Sequence, residues 1–342
     1  MNAKRLLSAK RQLLHLDYEL VTYGYFVMAA HNGVVWARTE GVGGYNQALC
    51  KSLNDGQTFD PVHDFGKTIQ NVHITPRGVI LVAIGNFWSV NRECELYRST
   101  DGINFTQVLA YTDGGAATWS IDSDEEGYVF TSEYGYKTAP NNARKIYRST
   151  NDGANFTVCY NPNPVEGYHN HKIIIDPYNK NTIYQAHGDH PTKGILRSTD
   201  RGANWALIPS STNYQPTAAV VFKDHILWGK DFAPYGVVRQ DKATDVFRQV
   251  LSSDIVLPSV YSMMLAKGVV YAALPKYPNT YHRAALYVSR DEGEDWSRVR
   301  SWGAAYADAF GLFYLVRHGD WAFCFFESRG VHAGSMKFKL FN

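Results

Sequence analysis

The chain has 342 residues, 19% of them charged and 14% aromatic, and its 34 Lys and Arg against 32 Asp and Glu leave a formal charge of +2. That balance provides no basic field to hold a nucleic-acid backbone, and no apolar run approaches the roughly 20 residues of a membrane-crossing helix, so neither nucleic acid nor a membrane is expected as partner. The aromatic-rich composition favours many short half-buried strands over helices, and one all-β domain spanning residues 1–342 is compatible with this length.

The first twenty residues, MNAKRLLSAKRQLLHLDYEL, are basic but lack an uninterrupted apolar core with a small-residue cleavage site, so no signal peptide is recognisable. The compartment stays open, because a secreted mature form is as consistent with the chain as a cytoplasmic one. Cys50, Cys94, Cys159 and Cys324 stand far apart in strand-like runs with no metal-type spacing, which predicts buried free thiols.

From residue 49 onward one pattern recurs: an apolar strand ending in Ser, a tight turn, then an aromatic residue. It reads LCKSLNDGQTF, LYRSTDGINF, IYRSTNDGANF, LRSTDRGANW and LYVSRDEGEDW, with its serines at 52, 99, 149, 198 and 289. The intervals are 47, 50 and 49 residues and then 91, so one copy is worn; VVRQDKATDVF near Val238–Gln240 keeps the strand and the aromatic residue but lacks the Gly. A second worn copy at Arg5–Ser8 would bring the units to seven; without it the count is six. Ahead of each turn lie two strand-like runs joined by a turn, such as NVHITPRGVILVAIG and KIIIDPYNKNTIYQA, giving four antiparallel strands per unit. The predicted fold is a seven-bladed β-propeller. Residues 4–18 are expected to complete the last blade with Phe310–Leu340, closing the ring and removing its edges.

These turns resemble the Asp-box (BNR repeat) of the sialidase-like β-propeller superfamily, Ser-x-Asp-x-Gly-x-Thr-Trp. The likeness is fullest at Ser198, Asp200, Gly202, Trp205 and at Ser289, Asp291, Gly293, Trp296, while Asn54 and Asn151 replace Asp and the Ser99 copy is one residue short. The carboxylates of such turns close on local backbone N–H groups and are read as structural.

Ligands of propellers gather around the axis, on residues opening the innermost strands and on the loops between second and third strands. The predicted strand openings are Tyr23 and Tyr25, Thr68 and Gln70, Gly115 and Ala117, His169 and His171, Gln215 and Thr217, and Ser259 and Tyr261. The predicted loops carry Arg38, Arg92, Tyr134, Tyr136, His187, Asp189, His190, Lys230, Asp231, Tyr235, Tyr277, Arg283 and Arg329. The densest stretch is EGYHNHKIIIDPYNKNTIYQAHGDH, in which His169 and His171 are two apart on a strand and are expected to project to one side. His187 and His190 follow at the end of the neighbouring strand. Three readings fit: a catalytic or substrate-binding cluster, a divalent metal at His169, His171 and His187 with Asp189 as a further ligand, or a hydrogen-bonded rim without chemistry.

The His-x-His, Asp-Pro and Gly-Asp succession of this blade is similar to a pattern in propeller polysaccharide lyases and related carbohydrate-active enzymes. The resemblance implies an acidic, uronic-acid-containing oligo- or polysaccharide as partner and β-elimination as the reaction. Elimination requires a base, an acid and a cation on the carboxylate; His171 is the candidate base, with His169 beside it, Tyr261 or Tyr25 the acid, and Arg38, Arg92 or Arg283 the clamp. Trp88, Tyr134 and Tyr277 are candidates to stack on sugar rings. The alternatives are a sialidase-like exo-glycosidase, for which Arg38, Arg92, Arg283 and Arg329 are candidates for the arginine triad although no Arg-Ile-Pro segment and no clear Tyr–Glu pair is found, and a non-catalytic propeller that binds a glycan or a protein. No phosphate loop, nucleophile elbow or zinc helix occurs in the sequence.

Overall fold

The computed structural model describes residues 18–39, 48–85, 94–111, 115–135, 145–161, 169–188, 194–212, 214–231, 235–252, 259–274, 284–302, 309–328 and 334–341. Seven four-stranded antiparallel sheets form a closed ring, each inner strand touching those of the two neighbouring sheets. The inner strands are Tyr25–His31, Ile69–Ile74, Ile121–Ser123, His169–Ile175, Pro216–Val221, Ser262–Ala266 and Ala309–His318, which open blades 1 to 7 in that order. Apart from one 3-10 turn at Pro209–Ser211, the described residues hold no helix.

The burial pattern follows from this packing. A second strand is flanked by blades on both faces and therefore reads as a continuous apolar run instead of an alternating one: every residue of Ile80–Gly85, Ile183–Gly188, His225–Lys230 and Val269–Leu274 is buried. Outer strands such as Asp60–Asp64 are mostly exposed. The apolar side chains fall into seven clusters, and each joins two adjacent blades. Phe26, Met28, Trp36 and Leu49 of blade 1, for example, pack on Ile69, Val72, Ile80 and Ile84 of blade 2.

The ring closes as a mixed blade, but with different residues from those the sequence suggests. Tyr18–Tyr23 is the outer strand of blade 7, paired with Gly334–Lys339, while residues 4–17 lie outside the described residues. Tyr23 therefore ends that outer strand and does not open blade 1, whose inner strand starts at Tyr25. Gly115–Ala117 likewise is not the inner strand of blade 3: it forms a two-stranded ribbon with Tyr134–Gly135 above that blade.

The repeated turns pin neighbouring blades together. In blade 4, Ser198 Oγ accepts the Gly202 N–H and donates to Asp200 Oδ1, both at 2.8 Å, and Asp200 Oδ1 accepts the Asn204 N–H at 2.8 Å. The same hydrogen bonds from Ser to the Asp or Asn and from the Gly N–H to Ser recur at Ser52, Ser99, Ser149 and Ser289. The Asn204 side-chain amide, the Asn204 N–H and the Ser198 hydroxyl, all donating to it, hold the Asp200 carboxyl down at about 2. Each turn glycine sits on the second strand of the preceding blade: Gly56 against Phe323, Gly102 against Trp36, Gly153 against Leu81, Gly202 against Phe130 and Gly293 against Leu227.

Blade 5 shows what the worn copy became. Gln240 occupies the Ser position, opposite Ile226 as Ser198 is opposite Ile183. Its amide bridges two partners, accepting from Trp228 Nε1 at 2.8 Å and donating to Asp245 Oδ1 at 2.9 Å. The turn itself closes on Asp241, whose Oδ1 accepts the N–H groups of Ala243 and Thr244.

Candidate functional site

Inner strands begin, and second strands end, at one face of the ring, called here the upper face. There an aromatic cluster forms from three blades: Trp119 and Tyr134 of blade 3, His171 of blade 4 and Tyr261 of blade 6. Trp119 stacks on Tyr134 at 4.3 Å and on His171 at 5.3 Å, both at an interplanar angle of 22°. Tyr134 and His171 are only 6.1 Å apart, too close for the two rings to lie on opposite faces of the indole, since two stacking layers span more than that. The indole thus covers both rings with one face, and Tyr261 meets it edge-on at 6.3 Å. Trp119 stays half-buried while His171 is 2% and Tyr134 8% exposed. The Trp119 backbone is held by the Asn71 side chain, which donates to its carbonyl at 2.9 Å.

His171 is therefore not an open rim residue. Its ring lies over Gly188, where a Cβ would come within 2.0 Å of it, so that glycine is what lets the imidazole slide beneath the indole. A shift in register between Asn170 and Ile173 interrupts the regular alternation of this strand, and same-side projection of residues 169 and 171 cannot be read from a period of two across such a bulge. His169 pairs with Gly188 and Asn170 with His187 in the ladder; the His187 side chain is buried.

Other predicted residues are dispersed. Arg38 donates from Nη1 to the Ile69 carbonyl at 2.6 Å and its guanidinium covers Phe26 at 4.4 Å, tying blade 1 to blade 2. Tyr25 stacks on Phe59 at 4.7 Å within blade 1. Gln70, Gln215, Thr217 and Ser259 are placed at the upper ends of their blades and are engaged there: Thr217 donates to the Val260 carbonyl at 2.8 Å and Ser259 to the Asp231 carbonyl at 3.0 Å. Arg92, Tyr136, Asp189, His190, Tyr277, Arg283, Arg329 and Trp88 lie outside the described residues.

Lys230 is the unusual cation. It ends the second strand of blade 5 and is 1% exposed, with its ammonium 5.3 Å from the Tyr214 ring centre and no carboxylate paired to it among the described residues. Burial alone lowers it from 10.5 to about 8. Sequence reasoning placed Lys230 at this end but gave no sign of its burial, and it missed Trp119, which precedes a strand that the pattern had placed too early.

A buried Tyr–Glu pair does exist: Tyr147 donates to Glu133 Oε1 at 2.6 Å. Both residues are sealed within blade 3, Glu133 at 0% and Tyr147 at 4% exposure, so the pair is a core tie without access to substrate. Among the described residues the grouping whose donor atoms come within 4.8 Å of one another is Asp224, His225 and Glu292, on the opposite face from the histidine-rich blade end. There His225 already uses Nδ1 on Asp224 at 2.6 Å and Nε2 on the Glu292 carbonyl at 3.0 Å.

No protein-family model matches the chain, and no curated protein does. Solved structures are similar in fold. The GH74 xyloglucanase of Xanthomonas campestris superposes with a TM-score of 0.67 at 15% identity, covering 93% of this chain and 52% of that one. The GH74 enzyme of Niastella koreensis gives 0.60 at 15% identity, over 82% of this chain and 46% of that one. YCF48 bound to a D1 peptide gives 0.62 at 12% identity and covers 96% of both chains. The chain thus spans about half the length of the GH74 structures. At these identities the shared property is the propeller fold.

Proposed function

We propose that the protein is a carbohydrate-active propeller that receives an acidic, uronate-containing glycan at its upper axial mouth. The observation that carries this reading is the half-buried Trp119 indole, backed on one side by Tyr134 and His171. A rigid indole supported from beneath offers an apolar platform for the C–H face of a sugar ring, and ordering it costs no further entropy on binding. Lys230, buried at the same end and paired with no carboxylate among the described residues, favours an anionic group there because a buried ammonium without a counter-charge gains most from one.

For β-elimination the roles fall to His171 as base, Tyr261 as acid and Lys230 as cation on the carboxylate, Arg38 being committed to Ile69. The imidazole would take the proton α to the carboxylate while the phenol protonates the departing oxygen. Because His171 lies under the indole, turnover needs Trp119 to swing aside, whereas binding does not.

The test is incubation with a panel of uronate glycans and sialosides, with and without EDTA, following unsaturated-uronate absorbance, reducing ends and tryptophan fluorescence. Absorbance that is lost in His171→Ala supports elimination. Reducing ends without absorbance identify a glycosidase. Fluorescence quenching by uronates that disappears in Trp119→Ala, with no product, leaves a glycan-binding propeller. Silence in all three signals overturns the proposal.

A further inference from the structure

At the lower face, where inner strands end, the axis opens into a cavity of about 450 Å³ lined from blades 2 to 6, a size typical of small-molecule sites. Its two walls differ. One carries Asp122, Asp124, Glu125 and Lys180; the other is apolar, built from Ile175, Val221, Met263, Met264 and Leu265.

On the polar wall three carboxylates face a single lining ammonium, and Lys180 is already spent on Glu125 at 3.0 Å and on Glu126 at 3.7 Å. Asp122 is held in place by the N–H groups of Ile175 at 2.7 Å and Ser123 at 3.0 Å. Burial raises its carboxyl even though Lys172 nearby acts in the opposite direction. Asp124 is 7% exposed; its Oδ1 accepts the Glu126 and Tyr128 N–H groups, and its buried Oδ2 has no hydrogen-bond partner among the described residues. A buried carboxylate oxygen left unmet is costly unless a ligand completes it.

We infer that this lower axial cavity is a binding site for a small organic cation, its ammonium directed to the Asp122, Asp124 and Glu125 wall and its apolar body against Met263, Met264 and Leu265. A metal ion fits less well: these three carboxylates do not bring their oxygens within one ion's reach, as the Asp224, His225 and Glu292 grouping does, and a metal makes no use of an apolar wall. An anion is opposed by the excess carboxylates. Methionine side chains, unbranched and polarisable, adapt to varied apolar bodies, so the wall suits a class of amines more than one shape.

The protein has five methionines, which makes the full chain with 13C-methyl-labelled methionine a direct reporter. Titration with phenethylamine should shift the Met263 and Met264 methyl signals saturably and leave those of Met28 and Met336, buried in the inter-blade clusters, unmoved. Phenylpropionate, similar in shape and opposite in charge, should do nothing. Asp124→Asn keeps the backbone-accepting oxygen and should weaken the amine roughly tenfold or more. Leu265→Arg, at a side chain already 37% exposed, leaves the strand intact, fills the carboxylate wall with its own cation and should abolish binding. Trp119→Ala should leave the titration unchanged, which separates this site from the upper one. The inference falls if the Met263 and Met264 signals stay still up to the solubility limit of the amine, if phenylpropionate binds as well, or if both variants bind as the parent does.

Discussion

The outer turns and the upper axial mouth are built from similar residues, yet they satisfy them in opposite ways. In a turn such as Ser198–Trp205 each polar group finds its partner within a few residues: Ser198 on Asp200 and Gly202, Asp200 on Asn204, Trp205 Nε1 on the Gly202 carbonyl. At the axis, Trp119, His171 and Tyr261 come from three blades and meet only because the ring closes, and Lys230 is buried with no carboxylate beside it among the described residues. Local satisfaction marks the turns as scaffold. At the axis the buried Lys230 ammonium is the group on which the proposed anionic ligand rests.

The sharpest way to break this comparison is through the turn glycines. A Cβ at Gly293, at φ +91°, would meet Leu227 Cδ1 at 2.5 Å, whereas one at Gly268, at φ +74°, would meet nothing within 4 Å. Gly293→Val should cost about 3 kcal/mol or more through strain and overpacking between blades 5 and 6, and Gly268→Ala about 1 kcal/mol from its backbone alone. Equal midpoint shifts in urea denaturation would show that the turns do not couple the blades.

Ser198→Ala comes next. It removes an acceptor from the buried Gly202 N–H and a donor to Asp200, and should destabilise by about 1–2 kcal/mol in the same urea series. A loss no larger than that of an exposed serine would mean that the turn holds without its internal bonds.

Lys230→Met should act in the other direction, stabilising by on the order of 1 kcal/mol at neutral pH by removing a buried charge. The pH dependence gives an independent check. The folded amine titrates at about 8 against an ordinary 10.5, so between these values the unfolded chain holds a proton that the folded chain has released, and stability rises with pH across that window. The parent should gain stability from pH 8 to 10.5 relative to Lys230→Met; parallel profiles would show that Lys230 is solvated.

Much of the fold was legible because a propeller repeats its local chemistry. Serines at near-constant intervals, each followed by Asp or Asn and Gly, announce a turn whose hydrogen bonds close within the motif, and apolar runs such as ILVAIG announce strands covered on both faces. Gln240 shows the limit: the strand and aromatic residue of VVRQDKATDVF mark the worn copy in the sequence, but that Gln240 itself takes the Ser position is shown only by its register opposite Ile226. Among the described residues the four cysteines form no disulfide; Cys50, Cys94 and Cys324 are buried as expected, whereas Cys159 is only half-buried, and burial pushes Cys50 up to about 11.

The sequence by itself determined a ring of repeated blades, since strand period and turn chemistry are short-range properties. Which residues meet at the axis was decided by tertiary structure alone. Alignment of strand openings put Arg38 and Tyr25 beside Tyr261 and His171, but Arg38 is tied to Ile69 and Tyr25 to Phe59, while in blades 3 and 4 a ribbon at Gly115–Ala117, a register shift after Asn170 and the absence of a side chain at Gly188 set which groups reach the axis. A shift of one residue turns a side chain to the other face of a strand, so a site assembled from several blades depends on registers that no single repeat encodes.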